Sequence, residues 1–263
     1  MQKGSDATGD GVRELWVVSL GTMSYADALA LQRDVARARI SGAIGQDVLL
    51  LLEHPPVITL GRTAKTAHLL SSPDLLRARG VELFEVERGG DVTFHGPGQL
   101  VGYPIIDLKR HTRDLHWYLR QIEEALIRPL HDYGIPAGRN AGLTGVWTNG
   151  RKMASIGVHA RDWVTWHGFA LNVTVDLSYF GLMVPCGIDG VVMTSMAKEL
   201  NGAAPEMSAV EDAVTRAFGE IFSLVPRPHD VAALRGAAAY ISRDVPPHQD
   251  AGALTPAHPA TRA

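Results

Sequence analysis

The sequence predicts an α+β domain, and three observations carry that expectation. Short apolar runs of strand length occur at intervals along the chain, and between them lie longer apolar patterns at helical spacing. Asn149-Gly150, set between Val146-Trp147-Thr148 and the run from Arg151 onward, is a strong two-residue hairpin signal, because Asn-Gly suits the positive φ angles of a type I′ turn. With 263 residues, 46% of them hydrophobic, the chain can bury one sizeable core. Strands and helices sharing one core satisfy all three, and more than one α+β arrangement does so.

Arg13 to Leu20 reads as the first strand, after which Ser24 and Asp27 cap a helix whose apolar stripe is Ala28, Leu31, Val35 and Ala38. Val48 to Leu52 is a continuous apolar run too short for most helices. With Val57 to Leu60 it predicts two strands joined by a stiff Pro55-Pro56 turn. His54, at that turn, reads on its own as an ordinary, partly exposed histidine. Ser72-Pro73 and Gly80 bracket a short helix with an N-cap, a proline at its first position and a terminal glycine. It delivers the chain into a strand over Val81 to Val86.

Arg88 to Gln99, between that strand and the apolar run Leu100 to Ile106, is rich in glycine and proline and reads as a constrained loop inside the sheet. Glycines there let backbone amides approach a ligand. Leu115, Leu119, Ile122, Leu126 and Leu130 predict a helix from Asp114 to Tyr133, with a kink at Pro129. If Asn149 and Gly150 form a turn, Lys152 stands opposite Trp147. Alternation then puts it on the face of Ala154, Ile156 and Val158 unless the register slips. The plain alternative is a lysine at a strand end snorkelling into water.

Asp162 to Val175 predicts a further strand, in which Gly168 marks a bulge or a close backbone approach. Asp176 to Phe180 is a brief helical or turn segment. Cys186 follows; a lone cysteine among apolar residues is usually an inert core residue, but Pro185 and Gly187 place this one in a turn that can present its thiol. Ser208-Ala209-Val210-Glu211 predicts a capping box opening a helix with Val210, Val214, Ala217, Phe218 and Ile221 along one side. Residues 1–12 are expected to be flexible, 13–244 to form one domain, and 245–263, rich in Pro, Ala and Gly, to be a disordered tail.

A formal net charge of −3 and the absence of a basic arm give no reason to expect nucleic acid. Nor does the sequence approach the roughly 18 apolar residues that a membrane span requires. The single cysteine excludes an intramolecular disulfide and argues against multi-cysteine metal sites, which suits the cytosol. His95, His159 and His167 fit no short metal-ligand spacing, so no metal is expected.

Arg88-Gly89-Gly90-Asp91-Val92-Thr93-Phe94-His95-Gly96-Pro97-Gly98-Gln99 closely resembles the signature of the lipoyl (octanoyl) transferases. Gly150-Arg151-Lys152-Met153-Ala154-Ser155-Ile156-Gly157 and Pro185-Cys186-Gly187 follow in the family's order. The resemblance spans Leu15 to Phe222 and implies the α+β fold shared with biotin and lipoate protein ligases, a mixed, largely antiparallel sheet with helices packed against it. It implies transfer of an octanoyl group from octanoyl-acyl carrier protein to a lysine of lipoyl domains, those of 2-oxoacid dehydrogenase complexes and the glycine cleavage H protein. No cofactor is implied. Cys186 and Lys152 take the catalytic roles, and Arg88, Gly89, Gly90, Asp91, Val92, Thr93, Phe94, His95, Ser155, Ile156, Gly157, Gly168, Phe169 and Ala170 line the acyl site.

The chemistry suits those residue types. Acyl transfer from a thioester needs a nucleophile, a proton acceptor and oxyanion donors; a neighbouring cation raises the thiolate fraction of a cysteine, and Lys152 can be that cation. Backbone amides near Cys186 and from Gly157 are candidate oxyanion donors, and His95 either bonds near the reacting carbonyl or braces its loop. Burying about six methylenes at roughly 0.8 kcal/mol each gives on the order of 5 kcal/mol of binding. Two other readings stand beside this one: an ATP-dependent lipoate or biotin protein ligase, and a non-catalytic acyl-binding module. A papain-like hydrolase lacks its local cysteine pattern here.

Overall fold

The structure, a computed structural model, describes residues 12–188 and 190–239. Expectations for residues 1–11 and for the tail fall outside that range. In chain order the elements are β1 (Glu14–Thr22), α1 (Tyr25–Ser41), β2 (Asp47–Glu53), β3 (Val57–Leu60), α2 (Pro73–Ala78), β4 (Glu82–Glu85), β5 (Val92–His95), β6 (Gln99–Ile105), α3 (Leu115–Asp132), β7 (Ala137–Asn140), β8 (Leu143–Thr148), β9 (Arg151–Arg161), β10 (Val164–Asn172), α4 (Met196–Glu199), α5 (Met207–Phe222), β11 (Val225–Pro228) and α6 (Val231–Ala239).

The larger sheet has eight strands in the order β11-β1-β2-β6-β10-β9-β8-β7. Only β1 with β11 and β1 with β2 pair in parallel; from β2 to β7 every pairing is antiparallel. A smaller sheet runs β4-β3-β5. Helices cover the large sheet on both faces. Leu49 and Leu51 of β2 pack with Tyr118, Ile122 and Leu126 of α3 and with Val214 and Phe218 of α5. Val48, Leu50 and Leu52 pack with Leu31 and Val35 of α1 and Leu234 of α6. A strand buried on both faces has no polar side, which is why β2 reads as an unbroken apolar run.

Most predicted elements are present, and the differences have physical causes. The Arg88–Gln99 stretch is two turns around a strand, since Val92–His95 pairs antiparallel with β3; the flanking glycines hid four residues of good strand composition. β2 and β3 belong to different sheets, so the Pro55-Pro56 turn carries the chain from one to the other. His54 is buried there, donating Nδ1–H to Met23 O (2.8 Å) and accepting from Tyr103 OH at Nε2 (2.7 Å). Asp162 and Trp163 form the β9–β10 turn, both with positive φ, rather than the start of a strand.

The expected capping box does not form. α5 begins at Met207, Ser208 lies inside it, and Glu206 at the N-cap makes no side-chain bond; Glu211 instead accepts from Ser19 Oγ of β1 (3.0 Å). α3 continues through Pro129 to Asp132. β11 and α6 had no strong sequence signal: β11 carries Pro226 and Pro228, tolerable because it is an edge strand, and α6 is short and alanine-rich.

Two glycines let β6 and β10 close up. A Cβ at Gly168 would lie 2.1 Å from Gly102 O, and one at Gly102 would lie 2.1 Å from Phe169 Cζ. This pinch sets the wall on which the site is built.

Candidate active site

Asn149 (φ 47°) and Gly150 (φ 76°) make the expected turn, and Lys152 stands opposite Trp147. The register then slips: Val146, the next residue of β8, pairs with Ala154. The bulge inserts Met153, which is buried in the core beside Ala154. Alternation is thereby reset, so Lys152 does not share the face of Ala154 and Val158 as simple pairing predicted; it lines a cleft with Ser155. Its backbone is clamped to the segment after Cys186, donating to Val192 O (2.8 Å) and accepting from Thr194 N (2.9 Å).

Cys186 sits in a single 3-10 turn, Pro185–Gly187, with φ 58° and ψ 17°. Left-handed backbone is unusual for a residue other than glycine and costs on the order of 1–3 kcal/mol; here it turns the thiol into the cleft. Lys152 Nζ donates to Cys186 Sγ at 3.0 Å, and Ser155 Oγ lies 3.7 Å from the same sulfur. Lys152 is 2% exposed, and its Nζ lies 5.4 Å from the Trp147 ring centroid, where a cation–π contact stabilises the ammonium that forms when it takes a proton.

The cleft, about 250 Å³, is mostly apolar. Of the residues that the resemblance assigned to it, Arg88, Gly90, Asp91, Val92, Thr93, His95, Ser155, Ile156, Gly157, Gly168, Phe169 and Ala170 line it. Gly89 and Phe94 do not. Gly89 N–H donates to Val158 O (2.9 Å), tying the loop to β9. Phe94 packs with Tyr179 and Phe180, away from its strand neighbours Thr93 and His95. Tyr25, Tyr103, His167, Ile188, the turn residue Gly142 and the first residues of β8, Leu143 and Thr144, also line the cleft. Sequence reasoning missed these; only the Gly142 turn carried a local signal.

Arg88 is buried and braces the loop. Its guanidinium donates to Thr59 O (2.7 Å), Thr59 Oγ1 (2.9 Å), Gly89 O (3.0 Å) and Asp91 O (2.7 Å). Burial pushes its pKa down, against the opposing fields of Tyr25, Cys186, Tyr103 and Asp91. His95 donates Nδ1–H to Gln99 Oε1 (2.8 Å), Gln99 donates to Asn172 Oδ1 (2.9 Å), and Asn172 to Thr194 O (2.9 Å). That chain fixes the tautomer and leaves His95 Nε2 as an acceptor. Burial holds its pKa at about 3, so it is neutral. Burial likewise lowers His54 to about 4 and raises Tyr25 and Tyr103.

At the Gly157–Gly168 end, His167 is buried in a left-handed conformation, its Nε2 3.6 Å from Glu87 Oε1. Burial raises the Glu87 carboxyl, but His167, Arg33 and Trp166 outweigh it and hold the group well below the carboxylate range. Among the described residues no cluster of His, Cys, Asp and Glu could hold a metal, and no helix is long and apolar enough to cross a membrane.

The cleft is thus mostly apolar, with a thiol and an amine in contact on its wall. The family model for the lipoyl protein ligase A/B catalytic domain matches residues 24–219, and the chain belongs to that family. It is 50% identical over 217 residues to the octanoyltransferase of Solibacter usitatus, covering 82% of this chain and 97% of that one. To the octanoyltransferase of Koribacter versatilis it is 51% identical over 233 residues, covering 82% and 92%. Among solved structures, a bi-partite lipoate protein ligase from Thermoplasma acidophilum superposes with a TM-score of 0.69 at 18% identity, covering 88% of this chain and 93% of that one. A lipoate-protein ligase A bound with ATP gives 0.66 at 16%, covering 89% and 95%. At such identities the likeness shows the fold alone, which is the lipoate ligase α+β fold.

Proposed function

We propose that the chain transfers an octanoyl group from the thioester of an acyl carrier protein to a lysine of lipoyl domains, through a thioester on Cys186. Octanoyl transfer is the activity named for relatives 50–51% identical across about four-fifths of the chain. The observation that carries the route is the 3.0 Å contact between Lys152 Nζ and Cys186 Sγ in a mostly apolar cleft. Cys186 gives its proton to Lys152 and attacks the donor carbonyl; Lys152 returns the proton to the departing pantetheine thiolate. The acyl chain lies along Ser155 to Gly157 and Gly168 to Ala170. The acceptors are the lipoyl domains of 2-oxoacid dehydrogenase complexes and the glycine cleavage H protein.

The donor is already activated, so the reaction needs neither nucleotide nor metal. Mixed with octanoyl carrier protein alone, the enzyme should gain the mass of one octanoyl group. Hydroxylamine or a lipoyl domain should remove that mass, and Cys186→Ser should fail to acquire it at a comparable rate. Full transfer by Cys186→Ala, or a strict need for ATP and magnesium, would replace this route with direct attack or with a ligase.

A further inference from the structure

The second half of the transfer releases a proton that Cys186 and Lys152 cannot absorb. A lysine arrives as –NH3+ and ends as an amide N–H, so two N–H bonds break as one C–N bond forms and the C–S bond to Cys186 breaks. Lys152, left as a neutral amine when the donor thiol departs, takes one proton; this restores the single proton that the thiol–amine pair began with. The other needs a second acceptor beside the nucleophile.

His68 and Asp91 meet that description and have no part in the route above. Asp91 lines the cleft, and its Oδ2 accepts His68 Nδ1–H at 2.8 Å while Oδ1 accepts Val92 N–H at 2.7 Å. The pair rests against Gly187, the residue after the nucleophile: a Cβ there would lie 2.5 Å from Asp91 Oδ2 and 2.9 Å from His68 Nδ1. His68 O also accepts Val184 N–H at 2.8 Å, which ties the imidazole's backbone to the Cys186 turn. The side chains are 19% and 9% exposed, so the imidazole keeps contact with water while the carboxylate is held inside.

We propose that His68, oriented by Asp91, accepts the second proton of the acceptor lysine, an inference that rests on Cys186 being acylated. With Nδ1–H donated to the carboxylate, Nε2 carries the lone pair. It takes the ammonium proton directly or through one water, Asp91 stabilises the imidazolium, and the proton passes to solvent. The histidines and the arginine that line the cleft itself are unsuited. His95 is a weak proton acceptor because burial holds its pKa at about 3, burial also depresses His167, and the Arg88 guanidinium, already protonated, has no lone pair to offer. Gly187 is then glycine because any side chain would part the pair from the nucleophile turn.

The test separates acceptors that need the second base from one that does not. Octanoyl-enzyme is formed in the wild type and in His68→Gln, then discharged by a lipoyl domain or by hydroxylamine, which is largely unprotonated near neutrality. His68→Gln should acylate and discharge to hydroxylamine within about twofold of wild type but transfer to the lipoyl domain about a hundredfold more slowly. Asp91→Asn should slow lysine transfer in the same direction. Equal slowing with both acceptors, or of acylation itself, would make the pair a brace of the turn and overturn the proposal, as would unchanged transfer to lysine. A wild type that forms no octanoyl-enzyme would overturn the underlying route, and the inference with it.

Discussion

Lys152 Nζ reaches Cys186 Sγ at 3.0 Å only because β9 carries a bulge between Lys152 and Ala154. Without the extra residue, alternation would turn the amine toward the core face of Ala154 and Val158, away from the cleft. The pairing of a buried amine with a thiol is thus a product of register, set by a hairpin whose turn is only two residues long.

Replacing that amine should separate chemistry from folding. Lys152→Ala is expected to slow acylation of Cys186 by about a hundredfold or more, the usual scale for losing a proton-transfer group, and to slow iodoacetamide alkylation of the thiol. Single-turnover acylation and alkylation rates read both effects. Unchanged rates would leave Lys152 as a structural cation over Trp147.

Gly145 protects the amine's position. Its φ is +127°, and a Cβ there would lie 2.5 Å from Ala154 O and 2.9 Å from Lys152 Cε. Gly145→Ala should therefore lower stability by about 1–3 kcal/mol through backbone strain and reduce kcat more than it raises KM, because the displaced atom belongs to Lys152. Urea denaturation and steady-state kinetics measure these; a wild-type kcat would mean that Lys152 can give way without cost.

The pinch between β6 and β10 gives a matched comparison. Gly168→Ala, with its Cβ 2.1 Å from Gly102 O and 2.5 Å from Pro104 Cδ, should force the strands apart and cost about 1–3 kcal/mol. Gly138→Ala on β7, with nothing within 4 Å of its Cβ, should be neutral or slightly stabilising. Similar melting temperatures for the two variants would contradict this packing.

What the sequence made legible was local. The Asn149-Gly150 turn and the Trp147–Lys152 pairing follow from turn chemistry, and the Pro185-Cys186-Gly187 turn from its flanking residues. The bulge at Met153 was not legible, because Lys-Met-Ala has the same period with or without a slip. Tyr25 and His54 meet His95, and Tyr103 meets His54, from separate parts of the chain, an arrangement that tertiary packing alone creates. His54 illustrates the difficulty: in the sequence it is a histidine beside two prolines, and in the fold it is a buried acceptor for a tyrosine hydroxyl.

Those buried histidines predict acid sensitivity with a definite sign. Burial holds His95 at about 3 and His54 at about 4. Each is neutral in the fold and takes up a proton on unfolding once the pH falls below the unfolded value of about 6.5. The unfolded state therefore binds more protons, and stability rises with pH across that window. It is fully present above about pH 6.5 and falls as the pH drops, with a limiting slope of about 1.4 kcal/mol per pH unit for each histidine that stays neutral. Urea unfolding between about pH 6 and pH 5 isolates this slope, because most unfolded carboxylates titrate lower. His54→Gln should lower the stability at neutral pH by removing the bonds to Met23 O and Tyr103 OH, yet flatten the slope by up to one proton, since glutamine does not titrate. A variant slope equal to that of the wild type would mean that His54 is already protonated in the fold, and that Tyr103 OH does not donate to its Nε2.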